Sequence, residues 1–140
     1  NIFIMRIIEL RGDSNQGKTA TLNLVYNRIL DPLNRGVSTC KKQEGGDKRD
    51  FSDIVNYKGQ KVAFFSMADA TKPLVSAIRN YDSLGIDILV CANNINKTNQ
   101  LKEINKFIND ILLKTIAAPS NSANDLIANT TDANTIFGLI

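Results

Sequence analysis

An α/β domain, with a mostly parallel five-stranded sheet, helices on both faces and one antiparallel edge hairpin, is what this 140-residue sequence predicts. Three observations carry that expectation. Short apolar runs alternate with segments of helical period, the pattern of strand–crossover–strand units. Two of the runs, residues 2–10 and 87–93, are apolar over most of their length, as strands covered on both faces are. Two further strand-like runs, 51–57 and 61–67, flank Lys58-Gly59-Gln60, a tight-turn signal. Right-handed crossovers would place helices on both sides of the sheet and leave the carboxyl ends of the strands open to a ligand. The length suits one domain over residues 1–140, and the chain shows no internal repeat or linker.

Each element has its own justification. The first strand ends at Gly12, and from Lys18 the period changes, with Leu22, Val25 and Ile29 at helical spacing until Asp31-Pro32 stops the helix. Residues 33–50 are polar, centred on Gly45-Gly46 and surrounded by Lys41, Lys42, Lys48 and Arg49. They read as a long mobile loop with a short strand near Val37 to Lys41. In the hairpin the second arm is the more apolar, which puts 61–67 inside the sheet and 51–57 at its edge. Thr71-Lys72-Pro73 opens a helix with the stripe Leu74, Ile78 and Tyr81, and Gly85 closes it. After the strand at 87–93, Ile104, Phe107, Ile108, Ile111 and Leu112 fit a strong amphipathic helix. Pro119 and the Ser/Asn-rich residues after it predict a break, then a short strand at Asp125 to Asn129. A last helix would carry Ala133, Ile136, Phe137 and Ile140.

Composition excludes several functions. There is no histidine, and Cys40 and Cys91 have no C-x-x-C spacing, which argues against a zinc site and against Ser-His or Cys-His catalysis. Two thiols without a framework suit a reducing, cytoplasmic setting. No apolar run approaches the roughly 20 residues of a membrane span, and Arg6 and Glu9 interrupt the opening segment as a signal sequence. A net charge of +3 is too mild to suggest a nucleic-acid face.

The chemistry is concentrated in residues 12–21, GDSNQGKTAT, which has the form G-x-x-x-x-G-K-[ST]. In such a loop the two glycines, Gly12 and Gly17, let successive N–H groups turn inward around a phosphate. The next helix presents its positive end to the anion. Asp13, Ser14, Asn15, Gln16 and Ala20 complete the cradle, Lys18 reaches the β- and γ-phosphates, and the Thr19 hydroxyl takes Mg²⁺. Placed between a strand and a helix, the segment resembles the phosphate-binding loop of the P-loop NTPase superfamily. That resemblance follows the order of elements along the whole chain, and it implies the three-layer P-loop NTPase fold.

Within the superfamily, GDSNQGKT is similar to the loop of Rab- and Ras-like small GTPases, and the hairpin resembles their antiparallel second and third strands. Two motifs that the likeness implies depart from the pattern. Where D-x-x-G is expected the chain has Ser66-Met67-Ala68-Asp69, and where N-K-x-D is expected it has Asn96-Lys97-Thr98-Asn99. An amide cannot accept the two guanine N–H bonds that a carboxylate accepts. The second stretch therefore reads first as a helix start capped by Thr98 or Asn99, and second as a base reader.

Phosphoryl chemistry asks for a carboxylate near Mg²⁺ at a strand tip. Asp69 is the candidate, as metal ligand or water-orienting catalytic residue beside Lys18, with Ser66 as a possible hydroxyl partner; a turn residue before the helix at Pro73 is the competing role. Asp13 either orients a nucleophile or stabilises the loop. Arg49 and Arg79 are candidate charge stabilisers, or solvated side chains. Glu9 and Arg11 either pair or line the site, and Cys91 belongs to the core. The expected function is Mg²⁺-dependent binding and hydrolysis of a nucleoside triphosphate, ATP before GTP. The alternatives are a non-catalytic nucleotide-binding module and a small-molecule or nucleotide kinase. A protein partner would meet residues 33–50.

Overall fold

The computed structural model describes residues 4–69 and 71–140. In chain order the elements are β1 (Arg6–Gly12), α1 (Lys18–Leu30), β2 (Val37–Ser38), β3 (Lys42–Gln43), β4 (Phe51–Tyr57) and β5 (Gln60–Phe65). They continue with α2 (Thr71–Ser83), β6 (Ile88–Asn94), α3 (Thr98–Ile104), β7 (Ile108–Leu113) and α4 (Ser122–Leu139). The α/β class is as the sequence predicts. The sheet is different: it is seven-stranded and mixed, in the order β2-β4-β5-β6-β1-β7, with β3 also on β4.

Parallel pairing joins β5 to β6, β6 to β1 and β1 to β7, while β4 runs antiparallel to β5 and to both short strands. The two extra strands come from residues 33–50 and take up the outer backbone groups of β4, so the hairpin is not the sheet edge. Lys58 (φ 49°) and Gly59 (φ 76°) make its turn, both with the positive φ that a two-residue hairpin favours.

Alternation along the strands splits the core in two. Ile8, Leu10, Phe64, Val90 and Ala92 pack under Leu22, Val25 and Ile29 of α1 and Ala133 and Ile136 of α4. Ile7, Ala63, Phe65, Leu89 and Cys91 pack under Leu74, Ile78 and Tyr81 of α2 and Ile104 of α3. Helices therefore cover both faces. Among the described residues no helix is long and apolar enough to cross a membrane.

Two expected elements are corrected. The helix read over Ile104 to Leu112 is instead the end of α3, a turn, and strand β7. Asn109 explains the stop, since its Nδ2 donates to the carbonyls of Ile104 (3.5 Å) and Phe107 (2.9 Å) and so takes up carbonyls a longer helix would use. The apolar residues that mimic a helical stripe belong to an edge strand, where Ile108, Ile111 and Leu113 are exposed. The strand expected at Asp125 to Asn129 and the last helix are one helix, α4. Its start is set by Asn121, whose side chain accepts from the Asn124 N–H at 2.9 Å.

Residues 37–40 are tied to the sheet through Asp53, which is buried. Its carboxylate accepts from Tyr26 Oη (2.7 Å), the Cys40 N–H (2.8 Å) and Ser38 Oγ. Burial pushes the Asp53 carboxyl up, but the hydrogen bonds from Ser38, Tyr26 and the backbone outweigh it and hold the group below its ordinary value. Burial pushes the Tyr26 phenol up to about 12, so it remains a donor. A depressed carboxylate adds stability above its unfolded value and loses it as pH falls through the folded one. Asp53→Asn is therefore expected to cost roughly 1–3 kcal/mol at pH 7 in urea unfolding. The gap between variant and parent should close well below pH 4, where both side chains are neutral. A gap that stayed constant through that range would show that the charge of Asp53 contributes nothing.

Candidate functional site

The loop between β1 and α1 is shaped by close approaches. A Cβ on Gly12 would lie 2.8 Å from Gln16 Oε1 and 2.9 Å from Lys114 Cβ, and one on Gly17 would lie 2.6 Å from Asn129 Oδ1. Gly17 also has φ 86°, a left-handed value that a side chain would strain. Both motif glycines are thus required by packing, and Gly17 by its backbone angle as well. Gln16 Oε1 accepts from the Asp13 N–H at 2.9 Å and stiffens the turn. No side chain caps α1, so its first N–H groups face the loop, as at an anion site.

Lys18 is buried inside this loop, and its Nζ donates to the carbonyls of Gly12 (3.1 Å) and Asp13 (2.5 Å). Burial lowers its pKa, Asp69, Asp13 and Asp50 oppose that shift, and Lys114 reinforces it. The three carboxylates keep a cation where phosphate charge would be met.

Thr19 is where sequence and structure part. Its Oγ1 donates to Asp50 Oδ1 at 2.9 Å, and Ser66 Oγ donates to the same oxygen at 2.9 Å while accepting from the Phe51 N–H at 2.9 Å. Asp69 takes its hydrogen bond from Asn94 Nδ2, at 3.2 Å. Asp50 is therefore the carboxylate at the threonine, a residue that sequence reasoning missed. The signal was the hairpin register: Ser52 opposite Phe65 brings Asp50 level with the residues after β5. Among the described residues no cluster of three or more His, Cys, Asp or Glu could enclose a metal. Thr19 and Asp50 supply two hard oxygens, the sort of partial shell that Mg²⁺ uses when phosphates and water complete it.

A cleft of about 530 Å³ runs from Ser14–Ala20 past Asp50 and Asp69 to Lys114–Ala117 and, on α4, to Asp125 and Asn129. Arg49 lines it too, paired with Asp47 at 2.9 Å. Arg79 is elsewhere, tying α2 to Glu103 of α3 at 3.1 Å. Glu9 and Arg11 pair at 2.7 Å, with Asn93 also donating to Glu9. Of the Asn96–Asn99 stretch, Asn96 and Lys97 line a second cleft, and α3 starts at Thr98 after Lys97, without a side-chain cap. Cys91 is wholly buried, as expected. No family model, no curated protein and no solved structure matches the chain.

Proposed function

We propose that the chain is a nucleoside-triphosphate-binding domain of the P-loop NTPase type, acting as a Mg²⁺-dependent hydrolase or switch, with ATP the expected nucleotide and GTP the alternative. The observation that carries this reading is the buried Lys18 ammonium, held by loop carbonyls beside an uncapped helix start. Such a group is the partner of a phosphate chain, and the 530 Å³ cleft is of the size that small-molecule sites have.

In this reading the loop N–H groups hold the phosphates and Lys18 neutralises their terminal charge. Bound Mg²⁺ supplies charge stabilisation on the phosphate oxygens. Thr19 and Asp50 would hold it, and Asp69 faces the same space from the end of β5. The far end of the cleft, near Ile116, Ala117 and Asp125, is left for the nucleoside.

The test is thermal unfolding with ATP, GTP, ADP and GDP, each with and without Mg²⁺. A nucleotide at 100 times its Kd should raise Tm by roughly 8–10 °C for a chain of this size. Asp50→Asn keeps one acceptor oxygen, which can take both hydroxyls as Asp50 Oδ1 does, but loses the charge. It should remove most of the Mg²⁺-dependent part of that shift and leave the part seen with chelator. No shift with any nucleotide would end the proposal.

A further inference from the structure

Two clefts meet at Asp69. The second, of about 340 Å³, lies at the carboxyl ends of β1 and β6. Ser14 and Asp69 line both clefts; Asp13, Asn94 and Ile95 line only the second. None of its lining residues comes from α4, where the first cleft ends. This is also where the chain direction splits, since the loop after β1 leads to α1 on one face and the loop after β6 leads to α3 on the other. Crevices at such strand ends are where α/β sheets take ligands.

Asn94 is the unusual residue there. It closes β6 opposite Gly12, is 9% exposed, and gives its amide N–H to Asp69. Its Oδ1 is buried without a hydrogen-bond partner among the described residues. A buried polar atom left unpaired in a strand end calls for an explanation, and fixing a functional neighbour is one. Only one Asp69 oxygen, Oδ1, takes this bond. Among the described residues no hydrogen bond reaches the other oxygen, which is left to accept.

We infer that the second cleft is the attack side of the site, admitting the water that cleaves the terminal phosphate, with Asp69 as its general base and Asn94 as the residue that positions Asp69. This rests on the triphosphate reading above. An in-line displacement needs nucleophile and leaving group on opposite sides of the phosphorus. With the nucleoside extended towards α4, the open approach to the terminal phosphate is from the β1–β6 side. The water oxygen bonds to that phosphorus while its proton passes to the Asp69 carboxylate. The bond from phosphorus to the bridging oxygen breaks, and the nucleoside diphosphate leaves with the electron pair, giving inorganic phosphate.

The experiment uses the full chain with ATP and GTP in Mg²⁺, measuring Kd by calorimetry and phosphate release in parallel. Asn94→Ala should lower kcat by about tenfold, within the range that a positioned base contributes, with Kd changed by less than about twofold. Asn94→Gln, which keeps the amide donor, should recover part of the loss. Ile95→Trp puts bulk at a position that is already exposed, so the fold should persist while the second cleft is filled. Its kcat should also fall with Kd unchanged. Parent-like kcat in both Asn94→Ala and Ile95→Trp overturns the inference, as does a parent that binds nucleotide and releases no phosphate. A parent that binds no nucleotide is a different outcome, and it removes the triphosphate reading itself.

Discussion

Lys18→Ala is expected to abolish measurable nucleotide binding while the far-ultraviolet circular dichroism stays that of the parent. Lys18 is 6% exposed and its ammonium sits among the carboxylates of Asp69, Asp13 and Asp50, so its desolvation is already met in the free protein. A phosphate chain entering the loop then gains a charge-assisted bond without having to order a flexible side chain. Truncating one partner of a buried charged contact costs about 2–5 kcal/mol, roughly 30- to several-thousand-fold in Kd. The loop also loses the two bonds from Nζ to the Gly12 and Asp13 carbonyls, which should cost a few degrees of Tm without unfolding the sheet. Lys18→Arg should rescue little, because a planar guanidinium does not fit where a point ammonium contacts two carbonyls at 3.1 and 2.5 Å. An unchanged Kd in Lys18→Ala would falsify the phosphate-loop reading.

What could be read in advance was whatever lay close together along the chain. Gly12, Gly17, Lys18 and Thr19 stand at fixed spacing between a strand and a helix, a pattern legible without their distant partners. Lys58-Gly59 and the buried run of β6 are equally local. The rest depended on partners far apart in sequence. Asp50 is 31 residues from Thr19, and only the β4–β5 register brings them together. Ile104 to Leu112 satisfies a helical period by coincidence, and the side chain of Asn109 decides where α3 stops. The start of α4 was hidden because Asn121, Ser122 and Asn124 suit a loop and a helix cap equally, while Leu126 and Ile127 point to solvent and blur the stripe. Asn94 is an ordinary strand end until Asp69 is placed beside it.

Asp132→Ala should be the most damaging single change for stability, although the hydrogen bonds and ion pair of Asp132 go to Thr115 and Lys114, outside the phosphate-loop motif. Lys114 Nζ lies 3.1 Å from Asp132 Oδ2, and both side chains are almost fully buried, at 1% and 3% exposed. Asp132 also accepts from the Thr115 N–H at 2.7 Å and from Thr115 Oγ1 at 2.6 Å. Removing the carboxylate leaves the ammonium, which keeps its bond to the Thr115 carbonyl, without its counter-charge and leaves the two Thr115 donors unpaired; for breaking a buried pair in this way the expected loss is about 3–5 kcal/mol. A domain of this size has only about 5–15 kcal/mol in total, so the urea midpoint should fall by roughly a fifth or more. The effect should reach the site, because a Cβ on Gly12 would sit 2.9 Å from Lys114 Cβ, and residues 114–117 wall the cleft. Lys114 also sits close enough to Lys18 to lower its pKa. The double variant Asp132→Leu with Lys114→Met replaces the pair with apolar groups and should recover most of the stability. Nucleotide affinity should return with it if the pair serves only to hold the β7–α4 turn against the loop. Recovery of stability without recovery of affinity would instead assign the Lys114 charge to the phosphates.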